Sequence, residues 1–250
     1  FNWPTMTLLV LHVGLSVFFF GCVLIRLFAA ASGRRLKFLE IRKCNPRDLP
    51  NYSVLVPLYR EQEVIGQLVT SLKRLNWPAS KLDIKLVCEK DDFDTIAAIR
   101  RQRLPLNFEL VLVPSGGPKT KPKALNYALQ FARGEIVAVF DAEDRPHPDQ
   151  LLEAWQTFQA EGHKLACVQA PLIIGNFRHN LLTRMFAFEY AALFRGLLPW
   201  LASRGLVIPL GGTSNHFRRS CLEQVGGWDA YNVTEDADLG VRLARFGYRI

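Results

Sequence analysis

The chain opens on an almost unbroken apolar run and then changes character. Residues 6–25 contain no Asp, Glu, Lys or Arg and a single histidine, His12, and at ~20 residues the run is long enough to cross a hydrocarbon core as a helix. From Asn51 the pattern alternates. Short runs rich in valine, isoleucine and leucine at 52–57, 84–88, 108–113 and 136–140 predict strands. Between them, 61–75, 94–101 and 122–132 predict helices, the first through the spacing of Val64, Ile65, Leu68, Leu72 and Leu75. Strands alternating with helices at this spacing predict βαβ units and a mostly parallel, open sheet. Further on, 162–170 predicts another strand, and a helix follows Thr234, a candidate N-cap with acidic residues in its first turn. Residues 181–202 are apolar and aromatic but carry Arg184, Glu189 and Arg195. That stretch is read either as a helix on the membrane surface or over the sheet, or as an ordinary core helix.

Charge sharpens the N-terminal reading. The net charge of +8 over 250 residues is concentrated behind the apolar run, in Arg34, Arg35, Lys37, Arg42, Lys43 and Arg47. Such a cluster marks the cytoplasmic flank of a membrane helix and argues against a soluble core helix. The organisation expected is a transmembrane helix in 1–33, a basic juxtamembrane linker in 34–50 and a cytoplasmic catalytic domain in 51–250. The whole is an integral protein of a bacterial-type inner or plasma membrane. A start at Phe1 and an end at Ile250 inside a helical pattern lead us to expect a C-terminally truncated piece. No zinc finger, RNP motif or aromatic-basic platform accompanies the charge, so no nucleic-acid partner is expected. Five widely spaced cysteines without a C-x-x-C pair read as reduced thiols.

The polar loops after the predicted strands carry the chemistry. Gly134-Glu-Ile-Val-Ala-Val-Phe-Asp141 runs directly into Ala142, Glu143 and Asp144. Three carboxylates in four residues repel one another unless neutralised. At the C-terminal end of a parallel strand they fit a hard divalent cation, Mg²⁺ or Mn²⁺, shared with phosphate; a solvated acidic loop is the alternative. Lys119, Lys121 and Lys123, after the third strand, suit a diphosphate. The spacing there is not that of a P-loop, and no G-x-G-x-x-G follows the first strand. Asn215 and His216 are candidates for sugar hydroxyls or phosphate. Trp228, in a Gly-Gly-Trp turn, either stacks on a sugar or packs. Asp236 is a candidate general base, with Glu235 beside it.

Four motifs in order, V-P-L-Y-R-E at 56–61, K-P-K-A-L-N-Y-A-L at 121–129, D-A-E-D at 141–144 and G-G-W-D…T-E-D-A-D-L-G at 226–240, together resemble family 2 glycosyltransferases. The narrower likeness is to the membrane-embedded, cellulose-synthase-like branch. The resemblance implies an α/β GT-A (Rossmann-like) fold, a UDP-sugar donor, a divalent metal and inversion at the anomeric carbon. It places Tyr59, Glu61, Glu89, Lys123 and Asp141 at the donor nucleotide and Asp141 with Glu143 or Asp144 on the metal. By the same resemblance Asp236, in the T-E-D motif with Glu235, would be the catalytic base. The acceptor implied is a growing polysaccharide or, alternatively, a lipid carrier; a non-catalytic membrane receptor or scaffold keeping the fold is the third reading. The chain departs from the family pattern at Cys88-Glu89, where paired aspartates are usual, and no Q-x-x-R-W motif occurs in it.

Overall fold

The computed structural model describes residues 3–31 and 44–250. Arg34, Arg35, Lys37, Arg42 and Lys43 of the expected basic linker lie outside the described residues, and Arg47 sits in a short 3-10 turn, Pro46–Asp48. The chain divides into two compact units. One contains the N-terminal helix with Pro171–Leu206, the other residues 44–170 with Val207–Ile250.

In the first unit, helix α1 spans Trp3–Ala31 and is long and apolar enough to cross a membrane, with a mean hydropathy of 2.6. Its C-terminal turn packs by Ala29 and by an edge-to-face contact of Phe28 with Trp200. The stretch expected as one helix over 181–202 is α6 (Leu181–Ala192), a π-helical turn (Leu193–Leu197) and α7 (Leu198–Ser203). Asn180 caps α6 reciprocally with Thr183. Pro199 lacks the N–H that would continue the hydrogen-bond ladder across the junction.

The second unit is a six-stranded sheet in the order β3-β2-β1-β4-β6-β5. Strands β1 (Tyr52–Leu58), β2 (Leu82–Glu89), β3 (Phe108–Val113) and β4 (Ile136–Val139) are parallel. Strand β6 (Asn215–Arg218) runs antiparallel to both β4 and β5 (Cys167–Gln169). The strand expected over 162–170 therefore reduces to three residues. Helices α2 (Ile65–Leu72), α3 (Phe93–Arg100) and α5 (Gln150–Glu161) share one core with Tyr52, Val54, Val56 and Leu58 of β1. Helices α4 (Lys121–Leu129), α8 (Arg219–Gln224) and α9 (Glu235–Arg245) share the other with Leu55 and Val87. Coverage of both faces explains why the parallel strands read as continuous apolar runs and not as alternation.

This order has a functional consequence. From β1 the chain winds outward through β2 and β3, then returns to lay β4 on the other side of β1. The loops leaving the C-terminal ends of β1 and β4 diverge there and leave a crevice, the usual ligand position of an open α/β sheet.

Candidate active site

The crevice encloses about 280 Å³ and is lined by Tyr59 and Glu61 after β1, Glu89 after β2, Lys119 and Lys121 before and in α4, and Asp141 and Glu143 after β4. Hollows of about 610 and 620 Å³ open at the opposite edge, against the first residues of β4 and of β2 and β3. Size does not decide between them; position does, because the crevice at the strand switch point gathers Glu61, Glu89, Asp141 and Glu143 with Lys119 and Lys121.

Each wall is built by local bonding. Arg60 is left-handed, at φ 59°, a conformation that needs support in a non-glycine residue. Asp92 supplies it by accepting the Arg60 N–H at 2.6 Å, while Thr95 Oγ1 accepts the Glu61 N–H at 3.0 Å. The loop after β1 thus rests on the start of α3. Arg60 and Lys119 both lie over the Tyr59 ring, at 5.1 and 5.9 Å from its centroid, and Lys119 is paired with Asp91. Glu89, nearly fully buried, faces Lys123 Nζ at 2.7 Å, and that amine also donates to the Gly116 carbonyl at 3.0 Å.

The acidic loop sorts its carboxylates. Asp141 Oδ1 accepts from Lys121 Nζ at 2.5 Å, and Lys121 donates as well to the Gly212 carbonyl. Glu143 is exposed to the crevice. Asp144 instead turns back: its Oδ2 accepts the Asp141 N–H at 2.9 Å and the Thr213 hydroxyl. Burial pushes the Asp144 carboxyl upward from its ordinary value. Of the two candidates for a second metal ligand, Glu143 faces the crevice and Asp144 shapes the loop. Glu61 is pushed up by partial burial and then by the charges of Glu143, Asp141 and Asp92. Glu143, Asp141 and Asp92 thus place Glu61 in a negative field. Among the described residues no three His, Cys, Asp or Glu side chains converge into a ready-made cage. Two crevice-facing carboxylates nonetheless fit a magnesium- or manganese-type ion, which takes its remaining oxygens from water and phosphate.

Asp236 enters from the other side. In α9 the buried positions are Asp236, Leu239, Gly240 and Leu243, the i, i+3, i+4, i+7 stripe of an amphipathic helix. The carboxylate therefore heads the core-facing stripe and not the solvent face. Gly240 permits this: a Cβ there would meet the Ile208 carbonyl at 2.3 Å. Gly212 lies alongside, and a Cβ on it would stand 3.4 Å from Asp236 Oδ2 and 3.6 Å from Lys121 Nζ. Burial raises the Asp236 pKa to about 6, with Glu235 and Asp141 adding to the shift and Lys121 and Trp228 opposing it. Thr234 occupies the N-cap position but makes no capping bond; its N–H and hydroxyl donate to Asn232 Oδ1 at 2.9 and 3.1 Å. Glu235 is half-buried beside Asp236.

The three residues expected at sugar or acceptor are buried side chains. Asn215 and His216 are fully buried in β6. The Asn215 amide donates to the Gly211 carbonyl at 2.6 Å, and His216 Nδ1 bonds the Tyr52 hydroxyl at 2.6 Å. Burial alone holds the His216 pKa down at about 3, so the ring is neutral and structural. Trp228 is buried edge-to-face against Phe217, at 5.7 Å between ring centroids. β6 is paired on both sides, and the polar groups of Asn215 and His216 make hydrogen bonds within the core. Two residues of α4 have partners that the sequence reading did not foresee. Lys121 links Asp141 to the Gly212 loop. Asn126 clamps the Gly-Gly-Trp turn, accepting the Trp228 N–H at 3.0 Å and donating to its carbonyl at 2.5 Å.

Comparison with known proteins converges with this geometry. Residues 50–250 match the family described as "Glycosyltransferase like family 2". The chain is 29% identical over 214 residues to the "Probable glucomannan 4-beta-mannosyltransferase 1" of Arabidopsis thaliana, covering 82% of this chain and 38% of that protein. It is 30% identical over 202 residues to the "Beta-monoglucosyldiacylglycerol synthase" of Trichormus variabilis, covering 78% and 41%. Among solved structures, the mannosyltransferase PcManGT from Pyrobaculum calidifontis, in complex with GDP-Man and Mn²⁺, superposes with a TM-score of 0.68 at 25% identity, covering 95% of this chain and 64% of that one. The chain spans less than half the length of these two curated relatives.

Proposed function

We propose that this chain, which belongs to glycosyltransferase family 2, transfers a hexose with inversion from a UDP-sugar to a growing polysaccharide at the membrane. The observation that carries the reading is the meeting of Asp141, Glu143 and Lys121 on one crevice, with Asp236 of α9 close enough to feel the charges of Lys121 and Asp141. Tyr59, Glu61 and Glu89 would line the nucleoside side, with Lys123 near the diphosphate. Asp141 and Glu143 would hold the divalent cation, which, when bound, offsets charge on the departing nucleoside diphosphate.

Asp236 removes the proton from the acceptor hydroxyl as its oxygen attacks the anomeric carbon. The new glycosidic C–O bond forms on the face opposite the bond to phosphate, which breaks and leaves its electron pair on the nucleoside diphosphate. A carboxylate with a pKa near 6 is a stronger base than an ordinary aspartate and is still largely ionised at neutral pH. Lys121, paired with Asp141, limits the upward shift of Asp236.

Residues 51–250 would form the catalytic domain on the cytoplasmic side, behind a transmembrane segment in 1–33 and a basic linker in 34–50. The likeness to a glycolipid synthase favours a second reading, a single transfer to a lipid acceptor, and the GDP-Man complex of the structural relative makes the base of the donor an open arm of the test. The deciding experiment offers the parent protein in membranes a panel of UDP-sugars and GDP-mannose with Mg²⁺ or Mn²⁺. Nucleoside diphosphate release and product length are measured beside Asp236→Asn. Metal-dependent turnover of one UDP-sugar into polymer, lost in the variant, is expected. A product carrying one added sugar selects the lipid reading. Turnover undiminished in Asp236→Asn overturns the base assignment.

A further inference from the structure

We propose that the groove between α1 and α6 is a binding site for one anionic glycerophospholipid of the membrane, with an acyl chain along the groove and the phosphate at Arg184 and Arg26. The inference rests on the membrane placement of α1 and is independent of the sugar chemistry.

The groove has a volume of about 680 Å³ and lies wholly within the first unit, within the range of sites that take small organic ligands. Its walls are Leu27 and Ala30 of α1 and Met185, Phe188 and Ala192 of α6. The last three follow one another at i+3 and i+4 and so share one helix face. Helix α6 buries none of its twelve residues, and Leu181 and Phe188 are 73% and 78% exposed. A folded helix that leaves large apolar side chains uncovered marks a surface made for a partner or a membrane.

Depth selects the partner. Helix α1 has 29 residues and is about 43 Å long at 1.5 Å per residue. The hydrocarbon core takes up only ~20 residues, about 30 Å. With residues 6–25 in the core, Arg26 and the turns beyond it emerge at headgroup level, and the groove, which starts at Val23, sits at that boundary.

Charge selects the headgroup. Residues 171–206 contain Arg178, Arg184, Arg195 and Arg204 against the single acid Glu189. Glu189 is 3.7 Å from Arg26, whereas Arg184, exposed on the groove rim, makes no ion pair among the described residues. An arginine at phosphate depth beside an apolar trough matches a phosphate diester attached to acyl chains.

The test uses the full chain purified in a non-ionic detergent, titrated with phosphatidylglycerol or with phosphatidylcholine of identical chains and read by native mass spectrometry. One phosphatidylglycerol should bind in preference. Arg184→Glu should weaken it about fivefold to tenfold while leaving phosphatidylcholine unchanged. Ala192→Trp, which fills the trough, should remove both. Nucleotide binding by each variant, expected to be unaltered, reports that the fold is intact. Equal binding of the two lipids, or binding insensitive to both substitutions, overturns the proposal. So does a dimer that the same substitutions dissolve, because the groove would then hold a second copy. Carbonate extraction of membranes checks α1 separately: protein released by carbonate would remove the premise, while retained protein without the lipid preference would refute the site alone.

Discussion

Replacing Asp236 with asparagine should stabilise the protein while abolishing its turnover. The carboxyl is nearly fully buried, and its pKa stands at about 6 against an ordinary 3.8. A raised carboxyl pKa means that the folded state holds the proton more tightly than the unfolded chain does. Stability attributable to this group is therefore full at acid pH and is lost as pH rises from about 4 through about 6. Above that the ionised group costs at most about 3 kcal/mol, from the separation of the two pKa values at 1.36 kcal/mol per pH unit. Asparagine keeps the shape and removes the charge. Its amide must still find a partner, and Lys121 loses a nearby anion, so about 1–3 kcal/mol is the expected gain at pH 8. For a domain of this size that corresponds to a rise of roughly 3–10 °C in thermal midpoint. The assay is thermal unfolding of the parent and variant in detergent with chelator present, at pH values between 4 and 8. The gap should be widest at pH 8 and should close as pH falls through 6. A variant that is no more stable than the parent at pH 8, or a gap independent of pH, would refute the burial argument and with it the origin of the base strength.

Other consequences follow from the same geometry. His216, held at about 3 by burial, binds its proton more weakly in the folded state. Its contribution is present above pH 6.5 and is lost as pH falls toward 3, with a slope of up to about 1.4 kcal/mol per pH unit; His216→Gln should flatten the acid limb of an unfolding-versus-pH curve. Gly240→Ala forces a Cβ to within 2.3 Å of the Ile208 carbonyl; a stability loss of about 1–3 kcal/mol and a lower kcat are expected, seen by thermal shift and by nucleoside diphosphate release. Asn126→Ala removes both bonds to Trp228 and should cost about 1–3 kcal/mol, with thermolysin cleavage appearing in the 226–231 turn. Chelation by EDTA should stop turnover, and Asp141→Asn should raise the Mn²⁺ concentration needed to restore it, read from a metal titration at saturating donor.

Much of the sheet unit is legible along the chain. Buried parallel strands need continuous apolar runs, and the run at 108–113 coincides with β3. The polar loops follow the strands because an open α/β sheet binds at that edge, and Tyr59, Glu61, Glu89, Asp141 and Glu143 of those loops line one crevice. A periodicity argument also contained a signal for Asp236: it is the only charged residue on the 236, 239, 240, 243 stripe. What tertiary structure decided was which polar side chains face the crevice. Asn215 and His216 resemble ligand-binding residues in composition, yet β6 is paired on both sides by β4 and β5, and long-range pairing of that kind leaves no local trace. Asp144 and Glu143 are adjacent and chemically alike; Thr213, a residue distant in sequence, turns Asp144 inward. Lys121 meets Asp141 and Gly212 only because the start of α4, the end of β4 and the segment before β6 come together in space. Residue type and spacing determined the elements and the chemistry available to them. The crossing of chain segments far apart in sequence determined which of those groups meet.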